Sequence, residues 1–200
     1  MGYRSFSFKM VKKTFDLTEK KVILFDKQTL EGIAPSPLLL AILERAKLIS
    51  LNNEKSRSEY IVAQILLEIK EKNSHVIGLY SGENLEANKE QGLNGECDFI
   101  FSKSPDSSTA EMPIICLVEA ENENIMSGLG QCVAQMLGAK MVNEKEGFDF
   151  PAIFGCVTTG DDWLFLKLEG NVIYTDIEKY YIDSLPLILG VFQRIIDAFI

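Results

Sequence analysis

Imidazole is nearly absent from this chain. His75, in Asn73-Ser74-His75, is its one histidine, so a Ser/Cys–His triad or an HNH-type site has little to build on. The four cysteines, Cys97, Cys116, Cys132 and Cys156, stand singly with no CxxC pair. That pattern excludes a zinc ribbon, disfavours a disulfide framework, and fits reduced, buried thiols in a cytoplasm. No apolar run reaches the roughly 18–20 residues of a membrane span. The most apolar early segment, Leu38 to Ile49, is interrupted by Glu44, Arg45 and Lys47. Near the N-terminus, Arg4, Lys9, Lys12 and Lys13 break up any apolar core of a secretory signal. Gly128-Leu129-Gly130 lacks the remaining glycine of a dinucleotide loop, and no Walker lysine follows a glycine run. Positive charge is also short. Twenty Lys and Arg face 29 Asp and Glu, a formal net charge of −9. A surface that grips a phosphate backbone is normally basic. Any such patch must be local here, at Lys9, Lys12, Lys13, Lys20 and Lys21, or at Arg45 with Lys47.

What remains is an ordinary α/β pattern. With 200 residues, 46% of them hydrophobic, the chain can bury one substantial core. It shows no repeat, low-complexity tract or linker, and one domain over 1–200 is expected. Ser36 and Pro37 read as the N-cap and first-turn proline of a helix through Leu38, Leu39, Ile42, Leu43 and Ala46. A second helix opens near Ser56, which has capping-box spacing to Glu59, and carries Ile61, Ile65 and Ile69. Strands are expected over Val76–Tyr80, over Glu96–Phe101 behind an Asn94-Gly95 turn, and from Pro113 to Glu119. A helix over Gly128–Met141 follows, then strands over Ala152–Val157, Trp163–Leu168 and Val172–Thr175, and a closing helix over Ser184–Ile200. The stretch from Phe6 to Phe25 has no securely typed element.

Acidic residues supply the chemistry. Asp98 stands between Cys97 and Phe99 in an apolar run, where an unpaired charge is costly. Five apolar residues, Ile114 to Val118, lead straight into Glu119-Ala120-Glu121. Strand alternation puts Glu119 and Glu121 on one side with Ala120 turned away. If the strand of Asp98 pairs alongside, three carboxylates converge at one end of a sheet. Like charges so close favour a cation or a retained proton, and hard oxygen ligands suit Mg²⁺ or Mn²⁺. Gln131 and Gln135, four apart, share a helix face beside them.

The sequence Gly95-Glu96-Cys97-Asp98-Phe99-Ile100, then Val118-Glu119-Ala120-Glu121-Asn122, then Gly128 to Gln135 resembles the PD-(D/E)XK nuclease superfamily. The likeness covers about Glu59 to Leu168 and is nearest to small uncharacterised bacterial members. It implies a restriction-endonuclease-like core, a mixed central β-sheet flanked by helices in αβββαβ order. The N-terminal extension and first helix would occupy 1–55, the core 56–168, and a closing strand and helix 169–200. It also implies metal-dependent hydrolysis of phosphodiester bonds in DNA. Asp98, Glu119, Glu121 and Gln131 would be the catalytic group. Asp98, Glu119 and Glu121 would hold the metal, joined by the first-helix acid Glu59. The expected setting is a cytoplasmic protein with DNA as partner, no membrane, and room for a homodimer. Glu121 stands where the superfamily's lysine is usual. Some restriction enzymes carry Glu-x-Glu there. The other reading is a catalytically silent member kept as a binding or interaction module.

Overall fold

A computed structural model describes residues 2–200. Seven strands lie side by side in the order β1-β7-β6-β5-β4-β3-β2, and a short eighth pairs with β6. They are β1 (Thr18–Val22), β2 (Gly78–Asn88), β3 (Leu93–Ser102), β4 (Ile114–Ala120), β5 (Ile153–Thr158), β6 (Asp162–Glu169), β7 (Val172–Asp176) and β8 (Tyr180–Tyr181). Pairing is antiparallel except for β4 with β5 and β1 with β7. The sheet is therefore mixed, and its middle strands β4 and β5 are buried along their whole length.

Helices cover both faces. On one lies α5 (Ile125–Lys145), whose Leu129, Val133 and Met136 pack with Leu117, Val157, Leu164 and Leu166 of the sheet. Across α5 runs the N-terminal segment, a 3-10 turn at Tyr3–Ser5 followed by α1 (Phe8–Thr14). The other face carries α2 (Pro37–Ala46), α4 (Ala63–Lys72) and α6 (Leu185–Asp197). Ile65, Ile69, Ile188 and Phe192 pack there against Phe99, Phe101, Val118, Phe154 and Phe165. No helix among the described residues is long and apolar enough to cross a membrane.

Several local expectations hold. The Ser36 hydroxyl accepts the Leu39 N–H at 3.1 Å and caps α2, with Pro37 in the first turn. Others shift. The second helix is capped by Asn53, whose side chain accepts the Ser56 N–H at 2.9 Å. It then runs from α3 (Glu54–Arg57) through a π-helical turn at Ser58–Val62 into α4. Ser56 is thus the partner in a capping box that begins three residues earlier. Asn94-Gly95 is not a turn. Both residues sit inside β3, and the chain reverses at Lys89–Gly92 instead. Gly95 has φ +136 and lies beneath the Tyr3 ring, a close approach that suits a residue without Cβ. The untyped stretch after Phe6 contains α1 and β1.

Candidate functional site

The site forms where β3 and β4 part. Their ladder runs from Ser102–Ile114 to Phe99–Val118 and stops there. One residue further along β3, the Asp98 side chain replaces the ladder. Its Oδ2 accepts the Ala120 N–H at 2.8 Å. β4 keeps its other neighbour, β5, through Glu119–Val157 and Ala120–Thr158, and the Glu121 N–H donates to the Thr158 carbonyl at 2.7 Å. Ala120 packs into the core on the α4/α6 side, while Glu119 and Glu121 both turn to α5.

Each acid is held by a different donor. Glu119, 2% exposed, is clamped by two amides. Gln131 Nε2 donates to its Oε2 at 2.5 Å, and Gln135 Nε2 donates to its Oε1. Both glutamines thus meet the same carboxyl, one from each turn of α5. Glu121 Oε2 accepts the Ser127 hydroxyl at 2.9 Å. Its other oxygen lies against Gly128, where an added Cβ would come within 2.6 Å. Gly128 is what lets this carboxylate rest on the helix. Among the described residues no three His, Cys, Asp or Glu side chains are gathered tightly enough to enclose one ion. Asp98, Glu119 and Glu121 are neighbours, each tied to its own donor, rather than a preformed cage.

Their charges nonetheless press on one another. Burial raises the pKa of Asp98, opposed by the Ala120 N–H, and Glu54 pushes it further up. Burial also drives Glu119 well above the usual carboxylate range, with Asp98 adding to the shift. Glu121 is raised by burial, and again Glu54 and Asp98 contribute. The helix acid whose charge reaches the group is therefore Glu54, at the start of α3. Arg57 anchors that helix, donating to the Thr159 carbonyl at 2.9 Å and to Asp161 at 2.6 Å on the β5–β6 turn. Glu59 lies farther along, its carboxylate 3.8 Å from Lys55. Sequence reasoning missed Glu54 because it placed the cap at Ser56. Asn53 followed by an acid, the usual start of a helix, was the available clue. It also missed Arg4, whose charge lowers the pKa of both Asp98 and Glu121 against the larger effect of burial.

The donor chemistry of Asp98, Glu119 and Glu121, hard carboxylate oxygens, is the kind that suits Mg²⁺ and Mn²⁺, while their placement leaves them short of a three-acid cage. Gln135 Oε1, on the amide that donates to Glu119, is buried with no hydrogen-bond partner. No protein-family model matches the chain, and a search of curated proteins finds no match either.

Proposed function

We propose that the chain is a PD-(D/E)XK-like, metal-dependent nuclease that hydrolyses phosphodiester bonds in DNA. The observation that carries this reading is the group of Asp98, Glu119 and Glu121 at the β3/β4 fork, their carboxyl pKa values all raised by burial and by neighbouring acids. Carboxyls in that condition either keep protons or accept a cation. Asp98 and Glu119 would hold Mg²⁺ or Mn²⁺, with Glu121 and Glu54 completing the oxygen set. A bound ion supplies a water acidic enough to attack and offsets charge on the phosphate. Glu121 would take the proton from that water, since burial and its acidic neighbours make it more basic than a free glutamate. Gln131 and Gln135 would turn Glu119 toward the ion. Being a carboxylate, Glu121 gives no positive charge to the transition state, so that charge must come from elsewhere.

One observation favours a second reading, a silent binding or interaction module. Both oxygens of Glu119 are engaged by glutamine amides, so ion binding requires that clamp to rearrange.

Purified protein incubated with DNA and Mn²⁺ separates the two. The nuclease reading expects cutting, loss of nearly all of it in Glu119→Ala, and impairment by Glu121→Lys. Mn²⁺ should raise the melting temperature, because a ligand of the folded state alone stabilises it by mass action. Asp98→Ala and Glu119→Ala should abolish that rise. Wild-type protein inert on DNA and RNA with every divalent ion, and still inert as Glu121→Lys, would establish the interaction module instead.

A further inference from the structure

We propose that Arg4 is the phosphate-holding cation of this site, delivered by the N-terminal segment rather than by β4. The inference rests on the nuclease reading above and says where that reading's missing positive charge comes from.

The geometry is a strap pinned at two points, one on the strand that carries Asp98 and one on the helix that carries the Glu119 clamp. At its start, Gly2 lies so close to β3 that an added Cβ would fall 2.8 Å from the Asn94 carbonyl oxygen. The next residue, Tyr3, covers Gly95, with its ring 3.5 Å from the Cβ position. At its far end the backbone of Phe6 and Ser7 presses on α5 at Gly130, where an added Cβ would stand 2.1 Å from the Phe6 oxygen. Asp98 follows Gly95 by three residues along β3, about 10 Å of strand. Gln131, one arm of the Glu119 clamp, is the residue after Gly130. Arg4 sits on the 3-10 turn between the two pins. The strap cannot lie elsewhere without losing both close approaches, so its turn is held between Gly95 of β3 and Gly130 of α5.

Charge points the same way. Glu54, Asp98, Glu119 and Glu121 make this end of the sheet strongly acidic, and a phosphate needs compensating positive charge to enter it. The strap's Lys12 is engaged by Glu19 at 2.7 Å. Arg4 is exposed and has no ion pair among the described residues. Its guanidinium pulls the carboxyls of Asp98 and Glu121 downward, so its charge reaches them. A guanidinium offers a planar fork of donors that matches two phosphate oxygens. It also keeps its charge at any working pH, which suits a site whose ordinary cation position is an acid.

The test uses the full chain and a fluorescently labelled DNA duplex. Binding is followed by anisotropy in Ca²⁺ at several salt concentrations, and cutting in Mn²⁺ with DNA in excess. Arg4→Ala should slow cutting by about 100-fold, the scale of losing one donor to a developing oxyanion. The salt dependence of binding should fall by about one counterion. Arg4→Lys should recover part of the rate. The melting rise produced by Mn²⁺ should be kept or enlarged in Arg4→Ala, because the lost cation repelled the metal. Should Arg4→Ala fold poorly, Arg4→Gln carries the same expectations. If Arg4→Ala cuts and binds as wild type while Glu119→Ala is inactive, the role of Arg4 is overturned and the nuclease reading stands. Loss of the Mn²⁺ response in a folded Arg4 variant would overturn it too, showing a merely structural part. Wild type that neither binds nor cuts the duplex overturns both.

Discussion

Glu119 carries the largest electrostatic load in the site. It is buried, faces Asp98, and has its carboxyl drawn upward by both. A carboxyl that keeps its proton has an O–H to give, and Gln135 Oε1 beside it is short of a donor. A neutral Glu119 with the Gln135 amide turned to accept would give Gln135 Oε1 the donor that it lacks. The consequence for stability has a definite sign. The folded state holds a proton that the unfolded chain releases near the ordinary value of 4.5. Stability from this group is therefore full below that pH and declines as pH rises toward the higher folded value. Glu119→Gln removes the charge without changing the shape. Its melting temperature should exceed that of the wild type at neutral pH by about 2–4 °C for each kcal/mol relieved. The advantage should shrink as the pH is lowered toward 4.5. Thermal melts of both proteins between acid and neutral pH measure this. An equal gap at every pH would mean that folding leaves the Glu119 carboxyl unshifted.

At the scale of elements, the strap and α5 depend on one missing side chain. At Gly130 the atoms that a Cβ would meet are backbone, the Phe6 oxygen at 2.1 Å and the Phe8 nitrogen at 2.6 Å. Backbone cannot swing aside as a side-chain tip can. Gly130→Ala should therefore lift the strap from α5, at a cost of about 1–3 kcal/mol. It should also weaken DNA binding in the way Arg4→Ala does, although it leaves Arg4 in the chain. Gly147→Ala is a poor comparison because Gly147 has φ +84. A melting scan and the anisotropy titration on Gly130→Ala are sufficient. Unchanged binding would show that the strap's seat does not position Arg4. These contacts also explain what the sequence could and could not convey. Period-two spacing made Glu119 and Glu121 readable as companions, because a buried strand enforces it. Ser36 with Pro37 was readable because capping is local. Asn94-Gly95 misled, since its hairpin chemistry is real but Gly95 is used here to admit Tyr3. The strap itself had no local signature. Its turn and short helix exist because α5 is there to receive them.

For the molecule as a whole, one sheet separates two cores, and the acidic fork lies at the margin between them. An α/β order was legible in the alternation of elements, while the mixed sheet between helical layers was expected only from the resemblance. The edge strand β1, with its charged Thr18–Val22, and the two-residue β8 were not, since neither has an apolar run of its own. The cysteines divide between the cores: Cys97 and Cys132 on the α5 side, Cys116 and Cys156 on the other. All four are free and buried, and burial raises every one of their pKa values. A thiol reacts as its thiolate, so alkylation must wait for the chain to open. That makes the four sulfurs a built-in clock for the folded state, readable by mass without any added label. Pulsed iodoacetamide in mild denaturant should modify all four at one common rate. Mn²⁺ should slow that rate for both cores alike, because the fork it would occupy joins strands shared by both. Cys132 reacting ahead of Cys116 would instead reveal α5 lifting from the sheet, a gate through which the Glu119 clamp exchanges its partners.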